Sequence, residues 1–137
     1  MNSETRDNLI AVAKQAAGQA YAPASKFRVG AAVLAPNGSI HGGCNVENAS
    51  YGLTVCAERH AVAAAVLAGA QEIAAVAVFT DLVEPAGPCG ACRQVLAEFG
   101  PTMPVFLVGR ADRIIETSLE QLLPDPFTFA SFEKDSR

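Results

Sequence analysis

The chain reads as an α/β fold in three layers (α/β/α), a sheet covered by helices on both faces. Two observations predict it. Apolar residues at helical spacing alternate along the chain with short apolar, β-branched runs. No linker, repeat or low-complexity tract interrupts that alternation, so residues 1–137 are expected to form a single domain.

Each element follows from local pattern. Leu9, Val12, Ala13, Ala16 and Ala20 recur at helical spacing and predict a first amphipathic helix. The turn-rich run Ala22-Pro23-Ala24-Ser25 precedes two expected strands, Val29 to Ala35 and Ser39 to Val46. Pro36-Asn37-Gly38 joins them as a hairpin turn. Cys56 to Leu67 is alanine-rich and predicts a helix closed by Gly69. Ile73 to Thr80 and Val105 to Val108 are short apolar runs that suit buried strands. Between them a loop, Asp81 to Pro88, leads into a helix from about Cys89 to Phe99, stopped by Gly100-Pro101. Ser118 to Leu122 predicts a short last helix, ended by Pro124 and Pro126.

Composition bounds the function. Half of the 137 residues are hydrophobic, enough for a core without staples and too many for a disordered tail. No apolar run approaches a membrane span, and the start MNSETRDN does not resemble a signal peptide. Net charge is −4 with no basic block, which disfavours nucleic acid as a partner. The four cysteines could form two disulfides, but a CxxC with no secretion signal favours metal or redox use and a reducing cytoplasm.

The chemistry concentrates in two runs, Cys56-Ala57-Glu58-Arg59 and Pro88-Cys89-Gly90-Ala91-Cys92. Three thiols can hold a tetrahedral zinc ion and leave its fourth position open, the mark of a catalytic rather than a structural site. A nearby carboxylate, Glu58, supplies the proton chemistry such a metal needs, so zinc-assisted hydrolysis is expected. Both runs fall at expected helix starts, where free N–H groups and the helix dipole favour thiolates. Cys89 and Cys92 share a helix face. Cys56 and Glu58, two apart, would diverge on a regular helix, so their partnership requires Cys56 at the very edge of its helix. A closed structural site would need a fourth ligand, from Cys44, His41 or His60. A redox pair at Cys89 and Cys92 would leave Cys56 and Glu58 without a role. By itself Glu58 could be only a favourable partner for a helix dipole.

These runs resemble the small, three-cysteine-zinc type of cytidine deaminase. The likeness spans nearly the whole chain. It takes in Phe27-Arg28-Val29-Gly30-Ala31-Ala32, Gly43 to Tyr51, Cys56 to Arg59, Pro88 to Leu96, Glu98-Phe99-Gly100 and Leu122-Leu123-Pro124. Zinc deaminases with an x-E followed by a later P-C-x-x-C are a known chemical class. The resemblance implies a mixed sheet of about five strands. It further implies hydrolytic deamination of cytidine and 2'-deoxycytidine with release of ammonia, as in pyrimidine salvage. Cys56, Cys89 and Cys92 match the zinc ligands, one Zn²⁺ per chain, and Glu58 matches the proton shuttle. Asn45 and Glu47 match the pair that holds the ribose hydroxyls, Phe27 the aromatic on the pyrimidine, and the backbone of Ala57 the group on the ring carbonyl. Such enzymes are usually homotetramers in which a late phenylalanine, here Phe127, reaches a neighbour's pocket. Two features depart from the pattern: Ala24 stands where relatives often carry an aromatic, and Asp125-Pro126 precedes Phe127 like an insertion. Arg59 and Arg93, each next to a ligand, could offset the charge of three thiolates by bonding the sulfurs. Glu47 beside the sugar favours a free nucleoside over a nucleotide. Two rivals carry the same metal: a deaminase of a modified aminonucleoside such as blasticidin S, and a non-catalytic zinc-stabilised binding module.

Overall fold

The computed structural model describes residues 1–133. Helix α1 (Ser3–Ala17) starts at Asn2, whose Oδ1 accepts from the Thr5 N–H at 2.8 Å. The hairpin strands β1 (Val29–Leu34) and β2 (Ile40–Cys44) follow, then a single 3-10 turn at Tyr51–Leu53. Helix α2 (Ala57–Leu67), strand β3 (Ala75–Thr80), helix α3 (Gly90–Phe99) and strand β4 (Pro104–Val108) come next. Strand β5 (Ile114–Ser118) and two short helices, α4 (Leu119–Leu122) and α5 (Phe129–Glu133), end the described chain.

The sheet has the order β2-β1-β3-β4-β5. Only β3 and β4 run parallel, and the other pairings are antiparallel, so the five-stranded sheet is mixed. Alternation along the strands divides the core between the two faces. Ala31, Val33, Val76, Val78, Val105 and Leu107 face α2 and α3. Ala32, Leu34, Ala77, Phe106 and Val108 face α1. The result is the expected three-layer α/β/α sandwich.

Two glycines let the helices lie close to the sheet. A Cβ on Gly30 would come within 1.9 Å of the Ala13 carbonyl oxygen of α1. One on Gly43 would come within 2.4 Å of the Ala61 nitrogen and 2.6 Å of the Ala57 carbonyl oxygen. The second contact fixes the height of the α2 start over the sheet, which is where the chemistry sits.

Boundaries shift where tertiary contacts outweigh local pattern. The first helix stops at Ala17, before Ala20, because the chain turns at Gly18 to reach the isolated bridge between Tyr21 and Val46. Strand β2 ends at Cys44, and Val46 pairs instead with Tyr21 and Val55. Strand β5 was not expected. It is an edge strand with no fully buried residue, so its pattern lacks the apolar run that marked β3 and β4. Its last residue, Ser118, accepts from Gln121 N and caps α4, which matches the expected short helix.

Candidate metal centre and active site

The site is built where α2 and α3 begin. Cys56 is the N-cap of α2 (φ −72°, ψ 156°) and Cys89 the N-cap of α3 (φ −66°, ψ 168°). Neither side chain caps its own helix, so both sulfurs are free to turn toward a shared ligand. Cys92 follows one turn into α3 and is fully buried. The Cys56 and Cys89 sulfurs are 4.0 Å apart and the Cys89 and Cys92 sulfurs 3.4 Å apart. All three ligand atoms lie within 4.8 Å of one another. Tetrahedral zinc at a Zn–S distance of about 2.3 Å needs sulfurs roughly 3.8 Å apart, so the observed spacing brackets the requirement.

The thiols are also chemically set for a cation. Burial pushes the Cys92 thiol up, and the neighbouring Glu58 charge and Cys89 push it further. Burial likewise raises Cys56. Burial works against the Cys89 thiolate too, but the Cys92 N–H and the two neighbouring thiols hold its pKa below the ordinary thiol value. Cys89 thus favours its thiolate, while Cys56 and Cys92 resist ionising unaided, and coordination by a dication would remove their protons outright. This donor set fits zinc.

Of the three side chains weighed as a fourth ligand, both histidines are engaged elsewhere and the free thiol of Cys44 lies outside the cluster. His60 Nδ1 bonds the Cys44 carbonyl at 2.8 Å, and His41 Nε2 pairs with Ser39 Oγ at 2.9 Å. Among the described residues the metal-ligating cluster holds Cys56, Cys89 and Cys92 alone.

Glu58 sits in the first turn of α2 and is 4% exposed. Burial pushes its carboxyl above the ordinary range, while its own N–H and the Cys92 thiol draw it partly back. A buried carboxyl raised in this way holds a proton more readily than an exposed one. Cys56, Glu58 and Cys89 open onto one cavity of about 360 Å³, a volume within the range of small-molecule sites. A hollow of about 380 Å³ near the far end of α2 is no smaller but holds no such donor cluster, so size alone does not locate the chemistry.

Phe27, Asn45, Glu47 and Ala57 line the same cavity. Asn45 is buried, and its amide joins two backbone groups: Nδ2 donates to the Phe27 carbonyl at 2.8 Å and Oδ1 accepts from Val29 N at 2.9 Å. Glu47 Oε1 accepts from Ala24 N at 2.9 Å and Ser25 N at 3.1 Å, and Oε2 accepts from the Ser25 hydroxyl. A carboxylate offers about four lone-pair sites and an amide two N–H groups, so both residues keep capacity for a ligand.

Other expectations fall outside this cluster. Phe127 does not line the cavity. It is 66% exposed, its ring stacks on Phe132 with centroids 5.9 Å apart, and its carbonyl accepts from Gln94 Nε2. Neither arginine bonds a sulfur. Arg59 is exposed at the third position of α2, on the side turned from the sheet. The Arg93 guanidinium instead donates to the carbonyls of Pro88 at 2.8 Å and Leu122 at 2.9 Å, tying the residue before Cys89 to the end of α4. Sequence reasoning gave no part to Ser25 or Thr80, which also line the cavity. Ser25 Oγ accepts from Phe27 N at 3.0 Å, a bond two residues on that the Ser-x-Phe spacing could have suggested. Thr80 Oγ1 accepts from Ala86 N, a contact with no local signal.

Comparison with known proteins places this geometry in context. The family model for the cytidine and deoxycytidylate deaminase zinc-binding region matches residues 3–108. The chain is 50% identical to a cytidine deaminase of Sporosarcina psychrophila over 123 residues, which span 89% of this chain and 90% of that one. A cytidine deaminase of Halalkalibacterium halodurans is 48% identical over 124 residues, 90% of this chain and 94% of the other. In structure it is similar to the crystallised cytidine deaminase of Burkholderia pseudomallei, with TM-score 0.85 and 48% identity over 93% of this chain and 100% of that one.

Proposed function

The chain belongs to the cytidine and deoxycytidylate deaminase family, and from that premise we propose that Glu58 carries the protons of the reaction while Cys56, Cys89 and Cys92 hold one zinc. The activity is zinc-dependent hydrolytic deamination of cytidine, which yields uridine and ammonia. The observation that supports the residue assignment is the opening of Cys56, Cys89 and the buried Glu58 carboxyl onto a single cavity, with the buried Cys92 sulfur clustered against the other two.

Zinc held there supplies the Lewis acidity that makes a water nucleophilic at neutral pH. Glu58 accepts the proton that the water releases. It then donates to the ring nitrogen beside the amino-bearing carbon, which leaves that carbon electrophilic. After the water oxygen has added, Glu58 relays the remaining hydroxyl proton to the amino group, which departs as ammonia. One water is consumed and one ammonia released, so Glu58 ends as it began. Phe27 packs on the pyrimidine, the start of α2 at Ala57 meets the ring carbonyl, and Asn45 and Glu47 hold the sugar hydroxyls. A carboxylate beside the sugar repels a phosphate, so the substrate is a free cytidine or 2'-deoxycytidine, as in pyrimidine salvage.

The thiols must stay reduced to bind metal, which suits the cytoplasm. The exposed ring cluster of Phe127, Phe129 and Phe132 supports assembly as a homotetramer, with Phe127 completing a neighbour's pocket. Sizing in solution is expected to give four chains, and a monomer would remove that part of the reading.

The direct test adds cytidine or CMP to the zinc-loaded chain and follows ultraviolet absorbance. Turnover of cytidine without turnover of CMP is expected. A folded, zinc-loaded chain that leaves cytidine unchanged would overturn the assignment, and equal rates on CMP would remove the nucleoside preference.

A further inference from the structure

The segment before β1 has almost nothing to pack on. Residues 23–28 are all exposed, yet Phe27 in this run lines the cavity. Lys26 within it has φ 61°, in the left-handed region that non-glycine residues seldom occupy. Such a conformation is strained and persists only where surrounding contacts determine it. Hydrophobic burial is not available here, so hydrogen bonds must hold the shape.

Those bonds converge on one hydroxyl. Ser25 Oγ donates to Glu47 Oε2 and accepts from Phe27 N at 3.0 Å. Glu47 Oε1 takes the Ala24 and Ser25 N–H groups, so one carboxylate grips the segment at three points. Asn45 Nδ2 then holds the Phe27 carbonyl at 2.8 Å. The backbone of Phe27 is therefore fixed at its N–H through Ser25 and at its carbonyl through Asn45. Lys26, between the two anchored residues, is closed further by its N–H to the Ala22 carbonyl at 3.0 Å.

We infer that Ser25 is a positioning residue, which couples the carboxylate of Glu47 to the ring of Phe27. The inference rests on the function proposed above, in which Glu47 meets the sugar and Phe27 the base. Glu47 then has two tasks in one group: it accepts a ligand hydroxyl and sets the segment that carries the ring against the base. The hydroxyl of Ser25 transmits between them, so sugar and base recognition become interdependent. Ser25 does not itself touch the reacting atoms. Loss of its hydroxyl therefore acts on binding and leaves the proton chemistry at Glu58 intact.

A double-mutant cycle on the zinc-loaded chain tests this. Hydrogen bonds to charged groups contribute about 1.5–3 kcal/mol, so Ser25→Ala is expected to raise KM for cytidine roughly ten-fold or more, with kcat within roughly two-fold. In a Phe27→Ala background the same change is expected to raise KM less than roughly two-fold, because the two residues act as one unit. Ser25→Thr, which keeps the hydroxyl, is expected to restore KM. Amide exchange at Phe27, followed by NMR, should accelerate in Ser25→Ala, while amides in β3 stay unchanged. Additive effects of Ser25→Ala and Phe27→Ala, a fall in kcat at unchanged KM, or unaltered Phe27 exchange would each overturn the inference. If the unsubstituted chain does not turn over cytidine, the proposed function fails, and Phe27 exchange still decides whether Ser25 sets the segment.

Discussion

Cys56 and Glu58 face the same cavity although only one residue separates them. The reason is a change of backbone at the α2 start: Cys56 is extended (φ −72°, ψ 156°), whereas Glu58 is already helical. Had both been helical, their side chains would have diverged by about 200°. The N-cap thus lets one short run turn a thiol of the metal-ligating cluster and a buried carboxyl into one cavity. The arrangement at α3 is parallel, with Cys89 at the N-cap and Cys92 one turn on.

Glu58→Gln keeps the shape of the side chain and removes its capacity to carry protons. We expect kcat to fall by roughly 10²–10⁴, the usual contribution of general acid–base catalysis, with bound zinc unchanged. Steady-state kinetics beside elemental analysis check this. A variant with near-native kcat would remove Glu58 from the reaction.

The three ligands differ in surroundings, and so should their variants. Cys89 is exposed, whereas Cys92 is fully buried. Cys89→Ser and Cys92→Ser should both lose zinc and activity. Only Cys92→Ser also puts a hydroxyl into the buried layer, at a further cost of about 1–3 kcal/mol if unpaired. Denaturant titration of the two metal-free variants should show that gap, and equal stabilities would contradict it. Chelation of the native chain should lower its Tm, since a ligand that binds only the folded state stabilises it by about 4 kcal/mol at a thousand times its Kd.

Gly43→Ala tests the seating of α2. Its Cβ would lie 2.4 Å from the Ala61 nitrogen and 2.6 Å from the Ala57 carbonyl oxygen, so the helix must move. We expect a stability loss of at least about 1–3 kcal/mol, the usual cost of overpacking. Because Glu58 rides on the same helix, kcat should fall as well. Gly52→Ala, with nothing within 4 Å of the added carbon, serves as the control and should change little.

The Glu47 carboxyl lies below the ordinary carboxylate range, chiefly because the Ser25 hydroxyl donates to it. Partial desolvation opposes this, and the Ser25 and Ala24 N–H groups and Lys26 add to it. A carboxyl depressed by folding contributes stability above its unfolded pKa, and that contribution is lost as pH falls through the folded value. The grip on residues 24–27 should therefore survive into acid below the usual glutamate pKa of about 4.3. NMR titration of the Glu47 carboxyl checks this, with Ser25→Ala expected to bring the value back up. No change in that variant would contradict the assigned cause.

What was readable in the sequence followed local periodicity and spacing. Strands β1, β3 and β4 and the main helices are legible because Ala31, Val33, Val76 and Val105 lie in apolar runs and α2 is rich in alanine, and β2 is legible from the Pro36-Asn37-Gly38 turn that precedes it. The thiols and Glu58 were visible because helix starts and CxxC spacing have local signatures. Strand β5 was not, since an edge strand needs only backbone pairing with β4 and no buried run. The Glu47–Ser25 contact was equally hidden, because it joins residues 22 positions apart that tertiary contacts bring together, among them the bridge between Tyr21 and Val46 and the Asn45 bonds to Phe27 and Val29. Arg93 lay beside a ligand in the chain, yet it reaches Leu122 in space, and adjacency was a poor guide to its partner.

X-ray absorption at the zinc edge of the native protein tests the central claim most directly. Three sulfurs at about 2.3 Å and one oxygen at about 2.0 Å are expected, with the oxygen shell changing when a cytidine analogue binds. A shell of four protein ligands that does not respond to the analogue, or no bound zinc at all, would contradict the account.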